Sequence, residues 1–315
     1  MSARMIMKLH VIDVYQEAGD VRVLTLRHPI RNELPAGAPG AHVDLRMPDG
    51  KIRQYSLIGD PEDRTQYKIA VKREDDGRGG SRWVHEKLKV GSEAHVSAPR
   101  NNFGLSPEAQ RHVLVAGGIG VTPFLAMVQE LRASSQDFTL HYSSRQPVPP
   151  FSDFLKDLCG DSVSIYATSD PQAPRFDAKT AFETVEEGTH IYCCGPASLI
   201  DAVKLASKHW PAEQVHFEVF QPAIDENFKP EPFDIRIAST DAVLHVPADR
   251  SALDVLREEG FVLPSSCELG VCGTCKCTYR DGIVIHRDQV LSTAERQDQM
   301  MLCVSRARVR VTLDL

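Results

Sequence analysis

The rhythm of apolar and polar positions changes twice along these 315 residues. Up to about residue 105, short alternating runs are broken by Gly, Pro and Asp. Residues 42–47 alternate, an Asp49-Gly50 turn follows, and 51–58 return, which predicts a hairpin. Residues 67–72 and 93–97 add short strands, so the region reads as a small antiparallel β-barrel. From about 110 to 221, strands at 112–116, 138–142, 163–167, 190–194 and 215–219 alternate with helical patterns such as 123–132 and 198–209. That order predicts a parallel, doubly wound α/β sheet. A polar stretch with three prolines, at 222–232, reads as a semi-rigid linker. Beyond it come a strand pair, a short helix over 252–259 capped by Ser251 and ended by Gly260, a strand to Tyr279, an Asp281-Gly282 turn and a final strand over 307–313.

Length and composition agree with several domains rather than one. A 34.9 kDa chain exceeds one ordinary core. Hydrophobic residues make up 42%, which marks a globular protein. A net charge of −7 argues against a nucleic-acid partner. No apolar run is long enough for a membrane span, and the N-terminal residues lack the pattern of a secretory signal. Eight cysteines in such a chain suit metal binding in a reducing cytoplasm.

The cysteines carry the most specific chemistry. Cys267, Cys272 and Cys275 follow C-x4-C-x2-C, and Cys303 answers them from near the C-terminus. This is the plant-type ligand run for a [2Fe–2S] cluster, whose two irons need four thiolates. Gly270 and Gly273 allow the backbone to curl between the ligands. The competing readings are a local zinc site that recruits Cys277, and disulfides in an exported chain. Neither accounts for the position of Cys303. Cys159 reads as a small core hydrophobe.

Three other stretches are chemical candidates. In Arg53-Gln-Tyr55-Ser56, an arginine fork suits a phosphate, and the tyrosine and serine offer a flat face and a donor. Gly77-Arg-Gly79-Gly80-Ser81 runs into a helix start, where free N–H groups favour an anion. Each is also compatible with an ordinary hairpin strand and a capped helix. Gly117-Gly118-Ile-Gly120-Val-Thr122-Pro123 and Tyr192-Cys193-Cys194-Gly195-Pro196 follow strands, where ligands of doubly wound sheets bind. Strand-end packing is the plain alternative for Cys193 and Cys194. The twelve histidines are scattered, and His85, His245 and His286 read as surface or capping residues.

R-x-Y-S followed by G-G-S resembles the flavin site of the ferredoxin reductase superfamily. With the cysteine run at the C-terminus, the whole chain resembles the phthalate dioxygenase reductase-type family. The resemblance implies an FMN-binding β-barrel at 1–106, an NAD(P)H-binding α/β domain at 107–222, a linker at 223–232 and a β-grasp [2Fe–2S] ferredoxin domain at 233–315. It implies that Arg53, Gly80 and Ser81 hold the flavin phosphate, and that Tyr55 and Ser56 contact its ring. Gly118, Gly120, Thr122, Pro123 and Gly195 would approach NADH, with Cys194 beside the nicotinamide. Phe220 would cover the flavin until nicotinamide displaces it, although a core phenylalanine serves the pattern equally well. FMN is expected over FAD. Arg145, after the second strand of the α/β domain, leaves both NADH and NADPH open, and the resemblance favours NADH. The expected function is electron delivery from NADH through FMN and the cluster to a separate Rieske-type oxygenase that hydroxylates or O-demethylates an aromatic substrate. A haem monooxygenase partner, or a redox-sensing role, is the alternative. A cytoplasmic monomer is expected.

Overall fold

Period-two burial builds the first sheet. In β1 (Ile6–Gln16), Met7, Leu9 and Val11 face the core while Lys8 and His10 point the other way. With β2 (Val21–Arg27), β3 (His42–Arg46), β4 (Ile52–Ser56), β5 (Tyr67–Lys72) and β6 (Glu93–Ser97), it forms a six-stranded antiparallel sheet in the order β4-β3-β6-β1-β2-β5. A bridge between Leu57 and Ile69 joins the two ends and closes the barrel. The expected hairpin is β3–β4, in register from Arg46↔Ile52 to His42↔Ser56. Helix α1 (Gly80–Lys87) lies between β5 and β6 in sequence. The computed structural model describes residues 5–77, 79–220 and 228–315.

The second sheet is parallel throughout. Its strands are β7 (Arg111–Gly117), β8 (Asp137–Ser144), β9 (Val163–Ala167), β10 (Thr189–Cys194) and β11 (Val215–Glu218), in the order β11-β10-β7-β8-β9. The order reverses between β7 and β10, and such a switch point opens a crevice beyond the strand ends. Helices α2 (Thr122–Ala133), α3 (Ser152–Cys159), α4 (Ala178–Ala181) and α5 (Ala197–Ala206) connect the strands. α2 is buried almost all round, because its far side meets the barrel. Gln129 donates to Ile58 and Gly59 carbonyls there, and Gln146 donates to Asp20 at 2.8 Å. Barrel and parallel sheet therefore form one compact unit, Met1–Glu218. Cys159 packs in it as a core residue, as expected.

The second unit, Val219–Leu315, holds the third sheet. β12 (Phe233–Ile237) pairs antiparallel with β13 (Val243–Val246) and parallel with β16 (Arg306–Leu313). β14 (Lys276–Ile285) pairs antiparallel with both β16 and β15 (Gln299–Met301). The order is β13-β12-β16-β14-β15, and α6 (Ala252–Glu258) buries Ala252, Leu253, Val255 and Leu256. Parallel pairing of first and last strands with a covering helix is the expected β-grasp. One expectation fails: Asp281-Gly282 is not a turn. β14 runs straight through it, with register shifts on either side, so the extra residues are absorbed as bulges. A Gly in a strand interior marks a bulge as readily as a turn. Of the linker, 221–227 lie outside the described residues.

Ser251 caps α6 with a reciprocal box, its hydroxyl accepting from the Asp254 N–H and the Asp254 carboxylate accepting from the Ser251 N–H. Ser251→Ala is expected to cost about 1 kcal/mol of stability in this unit, measured by urea unfolding.

Candidate functional site: two loop backbones, a bare helix start and paired thiols

The loop after β7 and the loop after β10 touch backbone to backbone. A Cβ on Gly120 would lie 2.4 Å from the Cys194 carbonyl oxygen, and one on Gly195 would lie 3.0 Å from the Gly117 backbone. Only hydrogen fits at these positions. Gly118 differs, with a φ of 55° and open space where a side chain would stand, so a ligand can approach its backbone. Thr122 and Pro123 begin α2, whose first turn has no side-chain cap. Thr122 donates to the Ile119 carbonyl at 3.0 Å and reaches Ser56 at 3.5 Å. Thus Ser56 of the barrel, buried at the end of β4, meets the start of α2.

Cys194 is fully buried, in register with Ala116 on one side and Glu218 on the other. Burial, then the neighbouring Glu218 carboxyl and Cys193 thiol, pushes its thiol well above the ordinary value. It stays protonated, so it packs and shapes this end of the sheet rather than attacking anything. Glu218 was not foreseen. It ends β11, one carboxyl oxygen has no hydrogen-bond partner among the described residues, and burial pushes it up to about 8. A half-buried carboxyl at the end of a strand, with one oxygen unpartnered among the described residues, can hold a proton. Its only sequence signal was its alternation against Phe217. Phe220 follows it and is half-buried, and Arg145 is exposed just beyond β8.

The barrel holds the other candidates. Arg53 and Tyr55 share one face of β4 and Ser56 takes the other. Burial raises the Tyr55 phenol to about 12, and its ring packs against the barrel core. The Arg53 side chain lies across the start of α1, where a Cβ on Gly80 would meet its Nε at 2.7 Å. At the N-cap, Gly79 has a φ of 81° and supplies no side-chain cap. The first-turn N–H groups and the Arg53 guanidinium therefore meet at one place, which fits a phosphate. The Ser81 hydroxyl is engaged elsewhere, accepting from the Glu74 N–H and donating to the Glu74 carbonyl. Its backbone N–H is what it can offer an anion. His85 bonds the Val71 carbonyl at 2.8 Å, a structural contact as expected.

In the second unit the four thiols are grouped in twos. The thiols of Cys267 and Cys272 act on each other, as do those of Cys275 and Cys303. In each pair that mutual interaction pushes one sulfur down and its partner up, the lowered ones being Cys272 and Cys275. No three His, Cys, Asp or Glu side chains among the described residues converge on a single-ion site. A zinc ion wants four sulfurs around one point, whereas two irons want two pairs. Cys277 packs in the core of the domain instead. Backbone N–H groups face the sulfurs, that of Leu269 lying 3.3 Å from Cys267. Gly270 has a φ of 73°, and a side chain there would strike Val304 at 2.6 Å and the Asp288 backbone at 3.1 Å. Asp288, also unforeseen, is buried and accepts from the Val290 and Leu291 N–H groups, while Gln289 donates to the Gly270 carbonyl. His286, expected as a surface or capping residue, is half-buried beside it and bonds the Arg296 carbonyl at 3.1 Å.

A barrel, a switch-point crevice and a two-iron thiol set on one chain have counterparts among known proteins. Residues 235–308 match the family described as 2Fe-2S iron-sulfur cluster binding domain. Residues 97–214 match the N-terminal domain of the dimethylamine monooxygenase subunit DmmA-like family. The phthalate 4,5-dioxygenase oxygenase reductase subunit of Pseudomonas putida is 42% identical, over 98% of this chain and 96% of that protein. The chain belongs to the phthalate dioxygenase reductase family. Within that family, the structure of phthalate dioxygenase reductase, described as modular for electron transfer from pyridine nucleotides to [2Fe-2S], superposes with a TM-score of 0.79. It is 39% identical, over 98% of both chains. An intact type IV self-sufficient cytochrome P450 monooxygenase matches with a TM-score of 0.83 and 38% identity, covering 98% of this chain and 41% of that one. Among the described residues, no helix is long and apolar enough to cross a membrane.

Two outcomes follow. Gly120→Ala drives a methyl group into the Cys194 carbonyl, and is expected to raise the Kd for NADH at least tenfold while flavin and iron content hold. For Glu218, the folded chain keeps a proton that the unfolded chain releases near the ordinary carboxyl value of 4.5. Stability therefore falls as pH rises from there to about 8, by up to about 1.4 kcal/mol per pH unit for one proton. Glu218→Gln removes that slope, so its Tm declines less than the parent's across the window in calorimetry.

Proposed function

We propose that this chain is the reductase component of an oxygenase system, passing electrons from NADH through FMN and a [2Fe–2S] cluster to a separate terminal oxygenase. The observation that carries the reading is the set of four thiols, Cys267, Cys272, Cys275 and Cys303, inside the segment that matches a 2Fe-2S cluster binding domain, in a chain that also presents a nucleotide crevice. Bound flavin supplies the conversion between a two-electron donor and a one-electron acceptor.

The chain's own residues bind and orient. Arg53, Gly80 and the Ser81 N–H hold the flavin phosphate at the start of α1, and Tyr55 and Ser56 set its ring at the end of β4. Gly118, Gly120, Thr122, Pro123 and Gly195 admit NADH to the crevice. Ser56, Cys194 and Phe220 are assigned to the hydride-transfer face, Cys194 as packing beneath the nicotinamide and Phe220 as the ring it displaces. Cys267, Cys272, Cys275 and Cys303 ligate the cluster. Residues 1–106, 107–222 and 233–315 are assigned to flavin, nucleotide and cluster, joined by 223–232. The partner is a Rieske-type oxygenase or O-demethylase, and the chain acts as a cytoplasmic monomer. A haem monooxygenase partner is the second reading, supported by the match to a self-sufficient cytochrome P450.

Anaerobic titration with NADH tests the path. Release of FMN, bleaching of the flavin and a rhombic reduced-cluster EPR signal are expected. Cys303→Ser is expected to abolish that signal while NADH still reduces the flavin. A flavin that NADH leaves oxidised in the parent would overturn the proposal.

A further inference from the structure

Arg306 is an arginine buried to 6% exposure with no carboxylate partner among the described residues. Such a charge is tolerated in an interior only where its donors are met. Here they are met entirely by main-chain carbonyls. Its Nε and Nη2 donate to the Glu231 carbonyl at 3.0 and 2.8 Å. Nη2 also donates to Pro247 at 2.8 Å, and Nη1 to Arg250 at 2.7 Å. The guanidinium lies over the Phe233 ring, 4.8 Å from its centre. Two separated segments, the approach to β12 and the turn at 247–250, converge on one side chain, and Glu231, just before β12, takes two of the donors.

A second arginine holds that approach three residues before Glu231, at Phe228. The Arg287 guanidinium sits 3.9 Å from the centre of the Phe228 ring, a cation–π contact. Phe228 and Glu231 lie in the stretch that sequence assigns to the interdomain linker. They are bound to the body of the cluster-bearing unit by side chains from the segment after β14 and from the start of β16. Arg306 stands three residues beyond Cys303, so it ties the linker to the strand that follows the fourth ligand.

We propose that Arg306 and Arg287 moor the linker to the cluster domain, so that residues 228–232 travel with that domain and the connection able to set its reach ends before Phe228. The inference rests on the reductase reading, because its consequence is for the flavin-to-cluster step, in which one electron leaves the flavin and one enters the cluster. Releasing the moored residues adds up to roughly 17 Å of extended chain. Effective concentration falls as about the −3/2 power of tether length, so release is expected to slow the step about twofold or more.

The test uses the intact holoprotein with Arg306→Lys, and with Phe228→Ala and Arg287→Ala, whose half-buried sites tolerate change if Arg306→Lys misfolds. Hydrogen exchange of the peptide over 228–235 is read beside single-turnover flavin-to-cluster transfer in stopped flow. Expected are at least tenfold faster exchange and at least twofold slower transfer, with NADH-to-flavin reduction and cluster EPR unchanged. Unchanged exchange in all three variants overturns the mooring. Faster exchange with unchanged transfer overturns its role in positioning. A parent flavin that NADH does not reduce rejects the reductase reading instead, and exchange still decides the mooring.

Discussion

Two loops can meet without side chains between them only if neither has any to offer, and the larger unit is arranged around that constraint. At the switch point between β7 and β10, Gly120 presses on the Cys194 carbonyl and Gly195 on Gly117. The contact spends no space on side chains, so the crevice opens directly onto main chain and onto the start of α2. A parallel sheet delivers both loops to the same edge, because every strand ends there. The barrel contributes by contact with α2: Ser56 reaches Thr122, and Gln129 bonds the turn after β4. The flavin candidates on β4 and the nucleotide loops are thereby placed in one rigid body.

The cluster domain solves a different problem. Four sulfurs in a small space repel as thiolates, so their proton affinities are pushed apart. The loop holds them by backbone geometry, with Gly270 wedged between Val304 and Asp288. Asp288 organises the wall behind it by collecting consecutive N–H groups, and α6 is fixed to the Cys303 segment through the Leu253 N–H and the Leu302 carbonyl.

Much of this was legible in the chain because it rests on local chemistry. Cysteine spacing points to a 2Fe-2S domain, alternation fixes a barrel hairpin such as β3–β4, and apolar runs between helical patterns fix a parallel sheet. What escaped depends on tertiary context. Glu218 reads as one polar position in an alternating strand, and nothing local says that one of its carboxyl oxygens ends up out of water with no partner among the described residues. Asp281-Gly282 carries the signal of a turn, but β16 offers a partner on both sides, and pairing overrides the local preference. Arg306 looks like one charge in a basic strand, since its acceptors lie 56 to 75 positions away.

The order of strands in the third sheet also governs when a cluster can be built. β16 is made after the other four strands, yet it lies between β12 and β14. Until it leaves the ribosome the sheet has a gap at its centre, and α6 has no complete face to cover. Cys303 precedes it by only a few residues, so the ligand set and its scaffold become complete at nearly the same moment. Domains earlier in a chain generally fold first during synthesis. The barrel and parallel sheet can therefore be finished while the metal-binding part is still an open hairpin. A chain without β16 therefore lacks the strand that joins β12 to β14, and the segment carrying Cys303 has no strand beyond it to anchor it.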